Sequence, residues 1–359
     1  HREGFAWPTI SIVKCESSKW QKERFKDEKV ANWFPGLVYP AVWLGSKAQM
    51  FFPLVINEIS NQTWKAIMKH VFRVSQIFLS LFLFQCSSTD TQTAVITCMT
   101  FNIRLNLPSD GANAWPHRKE MATSMLHFYA PDIFGVQEAL LDQINDLEES
   151  LPEYGWIGVG RDDGQAAGEF MAIYYLKERF KLLEQATFWL SETPDQPGKG
   201  WDAAWIRVVT WGHFKDQITG KTFYHFNTHL DNRGEQARRE GASLLLSKIQ
   251  SIAGIEPVIL TGDFNADPTS KPYEIISKGI KGEGLALMDS KSISQLPHHG
   301  PNRTFNGFDL ESLNSESGPI DYIFVKNQIK VLKHATLSDT FDGFFPSDHM
   351  PVYVELIIE

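Results

Sequence analysis

The chain has 359 residues, of which 43% are hydrophobic and 21% charged, a composition typical of a globular protein with a large core and one or two domains. Its formal net charge of −9 argues against non-specific coating of nucleic acid, although it is compatible with a local phosphate site that holds a divalent cation. The spacings of Cys15, Cys86 and Cys98 fit neither a disulfide framework nor a zinc site.

Residues 68–86 have the organisation of a secretory signal peptide. A Met and the basic residues Lys69 and Arg73 precede a mostly apolar run over 77–84, which ends just before Cys86. This run is too short to cross a bilayer as a helix, which needs about 20 apolar residues. A buried core helix and a membrane-surface segment are the alternatives. Cys86 resembles the lipidated cysteine of a bacterial lipobox, so we expect an exported protein, periplasmic or anchored to the membrane of a bacterial envelope as a lipoprotein.

Residues 1–67 precede this predicted start. They contain five tryptophans and show no clear hydrophobic period, which favours an upstream extension of the reading frame without an assigned domain. A structured N-terminal domain is the alternative.

From residue 92 onward, strand-like and helix-like patterns alternate. Helices are predicted over 115–129, 140–151, 235–253 and 273–277. Strands are predicted over 94–104, 132–138, 155–160, 169–176, 182–190, 205–215, 222–231, 257–260, 320–326, 329–337 and 350–358. So many strands need two packed sheets flanked by helices, and we therefore predict one α/β domain over residues 92–359.

Polar side chains recur where these predicted strands end. They are carboxylates, amides and imidazoles: Asn102, Glu138, His229, Asp231, Asp263, Asn265, Asp321, Asp348 and His349. One such residue has little weight, but a charge near a core is costly unless it is paired or bound to a metal. Oxygen ligands without thiols suit Mg²⁺ or Mn²⁺, and with imidazoles beside them they can support in-line attack of water on phosphorus.

Parts of this set of residues also have other interpretations. The run TGDFNADP, residues 261–268, also fits a strand followed by an ordinary turn, and Asp267 is assigned to that turn. A binuclear metallophosphatase needs DxH, GNH and GHxH motifs, which the chain lacks. His225 and His229 lie four residues apart, but HFNTH has no Glu after its first His and is strand-like, which argues against a zinc protease.

In order, the motifs FNIR, QE, NTHLD, GDFNAD, IDYIFV and SDHMPV resemble the endonuclease/exonuclease/phosphatase superfamily of deoxyribonuclease-I-like phosphoesterases. The resemblance covers residues 95–358 and implies a four-layer α/β sandwich of two mixed sheets flanked by helices. It also implies a Mg²⁺- or Mn²⁺-dependent phosphodiesterase or phosphatase that uses direct attack of activated water.

Carried onto this chain, the resemblance implies a role for each strand-end residue. Asn102, Glu138 and Asp348 would surround the metal. The catalytic groups would be Asp263 and Asn265 at the water and phosphate, His349 paired with Asp321, the phosphate-contacting His229, and Glu169; Arg207 would join Asn265 and His229 in binding substrate.

The superfamily acts on DNA, RNA, inositol phosphates and sphingomyelin, so the predicted substrate is a phosphoester of a small molecule, a lipid head group or a nucleic acid. We expect a monomer that contacts the membrane through Cys86. A secreted nuclease and a phosphoester-binding protein without turnover are the alternatives. The aromatic side chains Phe188, Trp189, Trp201, Trp205 and Trp211 are candidates for lining a substrate cleft, although core packing is the commoner role.

Overall fold

In the computed structural model, the described residues are Lys69, 94–279, 285–314 and 316–359. The predicted extension over 1–67 and, apart from Lys69, the predicted signal peptide with Cys86 lie outside them. Among the described residues, no helix combines the length and the apolar character needed to traverse a bilayer.

The domain is built on two six-stranded mixed sheets. In spatial order, the first sheet consists of β11 (Ile329–Thr336), β12 (Val352–Ile358), β1 (Ile96–Asn102), β2 (Ile133–Gln137), β4 (Ile173–Leu176) and β3 (Tyr154–Ile157). The second consists of β5 (Phe180–Trp189), β6 (Val208–Asp216), β7 (Thr222–His229), β8 (Val258–Asp263), β10 (Asp321–Lys326) and β9 (Met288–Asp289).

Helices cover the outer faces of both sheets. They are α1 (Trp115–Tyr129), α2 (Leu141–Ser150), α3 (Glu235–Ala253), α4 (Lys271–Lys278) and the short α5 (Ser290–Ile293), together with 3₁₀ turns at Pro108–Asn113 and Leu310–Asn314. Apolar residues of α1 and α2 pack on the first sheet, and those of α3 and α4 pack on the second.

Strand alternation explains how one strand serves two cores. Met99 and Phe101 of β1 face the helices, whereas Ile96 and Cys98, on the opposite face of the strand, belong to the core that the two sheets share. In the second sheet, Ile259 of β8 faces the shared core and Leu260 faces the helical side. The predicted four-layer sandwich is confirmed, and Cys98 is a core residue as expected.

Each sheet has a single parallel pair at its centre, β1 with β2 and β7 with β8, and antiparallel partners on both sides. Parallel neighbours end at the same edge of a sheet. The register places His229 beside Asp263, and the antiparallel β10 starts with Asp321 opposite Asp263. Topology therefore brings the polar strand ends to one edge.

Several strands are shorter than predicted, and two of them begin later by three or more residues: β4 starts at Ile173 rather than 169, and β6 starts at Val208 rather than 205. The residues before them bond to neighbouring loops. The Glu169 carbonyl accepts from Arg161 N at 3.0 Å, and Trp205 N donates to the Asp231 carboxylate at 3.1 Å. Glu169 and Trp205 therefore lie in loops.

Candidate active site

Asp263 lies at the centre of the site, at the end of β8 and 1% exposed. Its Oδ2 accepts a hydrogen bond of 3.0 Å from the Asn102 amide, and its Oδ1 accepts one of 2.9 Å from the Asn265 backbone N–H. Burial and the neighbouring Asp321 raise the pKa of Asp263 above its usual range. A carboxylate held this way is a strong proton acceptor.

Two histidines approach Asp263 Oδ2, one from the end of β7 and one from the segment that precedes β12. His229 Nε2 lies 3.3 Å away and His349 Nε2 lies 3.7 Å away. The other ring nitrogen of His349 contacts Asp321 Oδ2 at 2.8 Å. Both predicted histidines therefore converge on the predicted aspartate.

The two imidazoles have opposite protonation tendencies. Burial opposes protonation of His349, but Asp321 and Asp263 outweigh burial and raise its pKa well above its ordinary value. For His229, burial and the nearby Arg207 lower the pKa well below that value. The surroundings therefore favour the protonated form of His349 and the neutral form of His229.

Asn265 fixes the neutral ring. Its amide nitrogen lies 2.9 Å from His229 Nε2 and donates to the Leu230 carbonyl at 3.0 Å. The amide nitrogen is therefore a donor to Nε2, which leaves the imidazole proton on Nδ1. Nδ1 is buried and has no hydrogen-bond partner.

The predicted metal ligands occupy one side of this cluster. Asn102 donates to Glu138 Oε1 at 3.1 Å. Arg104 lies between the two carboxylates, with Nη1 3.9 Å from Glu138 Oε2 and Nε 3.8 Å from Asp348 Oδ2. Burial raises the pKa of Asp348.

A divalent cation fits these residues. Among the described residues, ligand atoms of Glu138, His229 and Asp263 all lie within 4.8 Å of one another. Oxygen ligands with one imidazole suit a hard cation. Of the three predicted ligands, Glu138 belongs to this group. Asn102 contacts Glu138 directly, whereas Asp348 reaches it through Arg104.

Backbone strain is concentrated at the same place. Arg104, Glu138 and Asn265 have φ angles of 57°, 65° and 45°, a left-handed conformation that is costly for residues other than glycine. Such strain persists only where the surroundings over-determine the chain, and it clusters at functional sites. Each strained residue follows a strand end.

The segment that carries Asp348 and His349 is held by residues that the sequence did not single out. Ser347 Oγ donates to the Asn102 carbonyl at 2.7 Å, and Asn306 donates to the Ser347 carbonyl at 3.0 Å. The Asn306 backbone N–H also donates to the Asp348 carbonyl at 2.7 Å. In the sequence, the only indication for Ser347 is that it is a small polar residue directly before Asp348, a predicted metal ligand.

Glu169 and Arg207 lie on the wall of the cleft. Glu169 Oε2 accepts from Arg161 Nη1 at 2.6 Å, and burial, against the opposing effect of Arg161, raises the pKa of Glu169 to about 7. Arg207 Nε lies 3.4 Å from Asp231, and burial lowers its pKa. Arg161 was missed because it lies in a Gly-rich loop, not at a strand end.

These groups line one cleft of about 680 Å³. Four arginines, Arg104, Arg161, Arg207 and Arg233, contribute to its wall beside Glu138, Asp263 and His349. Four carboxylates, those of Glu138, Glu169, Asp263 and Asp348, line the same cleft, so it combines donors for a phosphate group with oxygen ligands for a cation.

Of the five aromatic candidates, Trp205 lines the cleft. Phe188, Trp189 and Trp211 are buried, so for them core packing is correct. Trp201 is partly buried and does not line the cleft.

Comparison with known proteins gives a consistent family. The model of the Endonuclease/Exonuclease/phosphatase family matches residues 99–349, which include every strand-end residue above. A mannosyl-6-phosphatase of Bacteroides thetaiotaomicron is 42% identical, with a TM-score of 0.68 over 73% of this chain and 99% of the other. An endonuclease/exonuclease/phosphatase family protein of the same organism is 42% identical, with a TM-score of 0.69 over 75% and 99%.

A more distant relative is the uncharacterized protein L388 of Acanthamoeba polyphaga mimivirus, 28% identical over 67% of this chain and 91% of the other. The family match covers more than half of the chain and the two bacterial structures share both sheets with it. The chain belongs to the endonuclease/exonuclease/phosphatase family.

Proposed function

We propose that this chain is a Mg²⁺- or Mn²⁺-dependent phosphatase that hydrolyses small phosphate monoesters by direct attack of water. The observation that carries the proposal is the arrangement around Asp263: a buried carboxylate between a neutral and a cationic imidazole, next to Glu138. This combination supplies a proton acceptor, a proton donor and a cation site within one cleft.

The residues around Asp263 each have a role in the proposal. Asp263 orients the water and accepts its proton, since its carboxylate is buried and basic. His349, held by Asp321, donates to the phosphate oxygen on which charge develops. His229 and Asn265 would contact the other phosphate oxygens once substrate opens the hydrogen bond between them and His229 carries its proton on Nε2.

A cation would be held by Glu138 with Asn102, Asp263 and Asp348 around it. When bound, it would neutralise phosphate charge and polarise the phosphorus–oxygen bonds. Arg104 would keep the Glu138 and Asp348 carboxylates oriented, since it lies within 3.9 Å of both.

A small monoester is favoured over a nucleic acid for two reasons. The similar bacterial protein is a mannosyl-6-phosphatase, and the chain carries a net charge of −9 around a bounded cleft of about 680 Å³. Negative charge repels a polyanionic backbone beyond the cleft.

Export is part of the proposal. A signal peptide over 68–86 and a lipidated Cys86 would place the domain in a bacterial envelope, where it would meet extracellular phosphate esters. Mass spectrometry of the mature N-terminus measures this directly: a lipid-modified Cys86 is expected, and a mature protein that retains residues 1–67 contradicts it.

The activity is tested on the full chain with a panel of hexose phosphates, glycerol phosphate, nucleotides, RNA and DNA, with Mg²⁺ or Mn²⁺. We expect hydrolysis of monoesters that EDTA abolishes and either metal restores. The Glu138→Gln variant should lose most activity, while Glu148→Gln in α2 keeps it. Activity that persists in EDTA, or a preference for DNA or RNA, refutes the proposal.

A further inference from the structure

The cleft has a second half, beyond the strand-end residues. Arg161 and Glu169 lie there at the two ends of loop 160–170, and both line the cleft. Their side chains form an ion pair of 2.6 Å, with Arg161 6% exposed and Glu169 8% exposed. A charge pair this buried needs either structural or ligand partners for its remaining hydrogen-bonding atoms.

The loop that carries this pair is tightly built. Arg161 N donates to the Glu169 carbonyl at 3.0 Å, and Phe170 N donates to the Ala139 carbonyl at 2.7 Å, next to Glu138. Gly168 has a φ of 82°, and a Cβ there would lie 2.6 Å from the Asp162 carboxylate. The pair is therefore held at a defined position relative to Glu138.

Trp205 lies against the same half of the cleft. Its ring is 48% exposed, and its backbone N–H is anchored on Asp231. The Arg161 guanidinium carbon lies 5.8 Å from the ring centroid and Lys199 Nζ lies 5.9 Å from it. A large aromatic ring kept in contact with solvent beside a cleft is a surface that a ligand can cover.

Donors without partners occur here too. Among the residues that the structure describes, the buried Arg161 Nε and Arg207 Nη1 have no hydrogen-bond partner, and Arg161 Nε lies 3.7 Å from Asp162 Oδ1. Buried donors are nearly always satisfied in folded proteins, so these two indicate an acceptor that arrives with the substrate.

We propose that Arg161, Glu169 and Trp205 form a leaving-group subsite that binds the ring of a hexose phosphate. A sugar hydroxyl both donates and accepts hydrogen bonds, which matches a guanidinium beside a carboxylate. The C–H face of the ring covers Trp205. This inference rests on the proposed phosphatase function and names the substrate class of the same site.

A nucleotide is the rival occupant, because a base also stacks on tryptophan. Vicinal hydroxyls of a hexose donate to the Glu169 carboxylate and accept from the Arg161 guanidinium, but ribose carries such a pair too, so the comparison of mannose 6-phosphate with AMP decides between the two occupants. Glycerol phosphate is too short to cover the indole and serves as the internal reference.

The test measures kcat/KM of the full chain for mannose 6-phosphate, AMP and glycerol 3-phosphate. In Trp205→Ala, we expect the ratio of mannose 6-phosphate to glycerol 3-phosphate to fall about tenfold, mainly through KM, and Trp205→Phe to restore most of it. Phe128→Ala removes a ring that is 80% exposed on α1 and is the matched control. An unchanged ratio, or a larger loss for AMP than for mannose 6-phosphate, overturns the subsite.

Binding separates this subsite from the proposed activity. Calorimetric titration of mannose 6-phosphate is performed with Asp263→Asn and with the double variant that also carries Trp205→Ala. About tenfold weaker binding by the double variant supports the subsite even if the wild-type chain hydrolyses no ester, an outcome that refutes only the phosphatase. Equal binding by both variants overturns the subsite.

Discussion

Two buried polar clusters lie on the same strands, about two residues apart. One lies between the sheets and contains Asn227 of β7, Thr261 of β8 and Gln137 of β2. The other contains the next polar positions outward on those strands, His229 and Asp263, with Glu138 after β2. Both clusters are polar and buried on the same strands, but they differ in charge and in hydrogen bonding.

The cluster between the sheets is neutral and nearly closed. Asn227 donates to the carbonyls of Val136 and Ala172 at 2.8 and 2.9 Å, and its oxygen accepts from Gln137 at 2.6 Å and Thr261 at 3.0 Å. A Cβ on Gly135 would lie 2.5 Å from Asn227 Oδ1, so glycine permits this approach. Gln137 Oε1 and His225 Nδ1 have no partner.

At the strand ends, charges replace amides and contacts lengthen. Two carboxylates, those of Asp263 and Asp321, approach the two imidazoles at 2.8 to 3.7 Å, and among the described residues His229 Nδ1 and Asp321 Oδ1 have no hydrogen-bond partner. A neutral hydrogen-bonded network stabilises the fold, whereas charges that converge at a cleft retain interactions for a ligand. Polar residues of the inter-sheet cluster therefore stabilise the fold, whereas those two residues further along the same strands serve the proposed reaction.

The largest expected effect falls on activity alone. Asp263→Asn removes the proton acceptor, and we expect kcat to fall about 10³-fold. The free energy of unfolding should stay the same or rise, because a buried charge is removed. Steady-state kinetics and urea denaturation measure the two effects. Asp267→Asn, in the exposed turn four residues on, should change neither kcat nor the free energy of unfolding. A large loss of stability in Asp263→Asn would show that the strand-end cluster stabilises the fold as the inter-sheet cluster does.

The reciprocal change affects stability. Asn227→Ala removes two hydrogen bonds donated to the Val136 and Ala172 carbonyls and two accepted from Gln137 and Thr261, so we expect a loss of roughly 3 kcal/mol in unfolding free energy. Below its melting temperature the variant should retain kcat within a few-fold. Asn145→Ala, exposed on α2, is the control. A large fall in kcat with an unchanged free energy of unfolding would contradict the assignment of the inter-sheet cluster to stability.

Asp321→Asn weakens the site without removing a reacting group. Asp321 raises the pKa of His349, so its loss lowers that pKa, and the protonated imidazole disappears at a lower pH. We expect kcat to fall about 10- to 100-fold and the alkaline limb of the pH–rate profile to shift to lower pH. An unshifted limb would show that His349 does not act as the proton donor.

The smallest effect concerns His225 in the inter-sheet cluster. Burial lowers its pKa from 6.5 to about 3, so the folded protein keeps it neutral while the unfolded chain gains a proton below pH 6.5. Stability is therefore complete above pH 6.5 and is lost as the pH falls toward 3, by about 2 kcal/mol at pH 5.

His225→Gln keeps a nitrogen donor for Thr261 and removes this titration. Its unfolding free energy in urea at pH 7.5 and pH 5.0 should differ by about 2 kcal/mol less than that of the wild type. The same pH dependence in both proteins would assign the acid sensitivity to other groups.

The strand-end site was predictable because strand periodicity and the order of motifs locate it. His229 and Asp263 end the parallel strands β7 and β8, and Asp321 begins the antiparallel strand β10 opposite Asp263, so the topology brings the three together. The wall of the cleft was not predictable in the same way. Arg161 and Trp205 depend on loop hydrogen bonds to Glu169 and Asp231, which no periodicity encodes.

Asp231 illustrates what sequence reasoning recognises only in part. It was identified as polar at a strand end, like the reactive residues, but its carboxylate organises loops. Burial opposes its ionisation, yet the backbone N–H groups of Gly234, Arg233 and Trp205 outweigh burial and lower its pKa to about 2. Asp231 and Asp263 are both aspartates at strand ends, so it is their hydrogen-bond partners that distinguish their roles.

Loop 160–170 meets the scaffold at its two ends, where Phe170 bridges to both Gly160 and Ala139. The residues between Gly160 and Phe170 can therefore change in length and composition while Glu138 and the strand ends keep their places. A different loop between these two anchors would change the proposed subsite for the leaving group without moving the residues around Asp263.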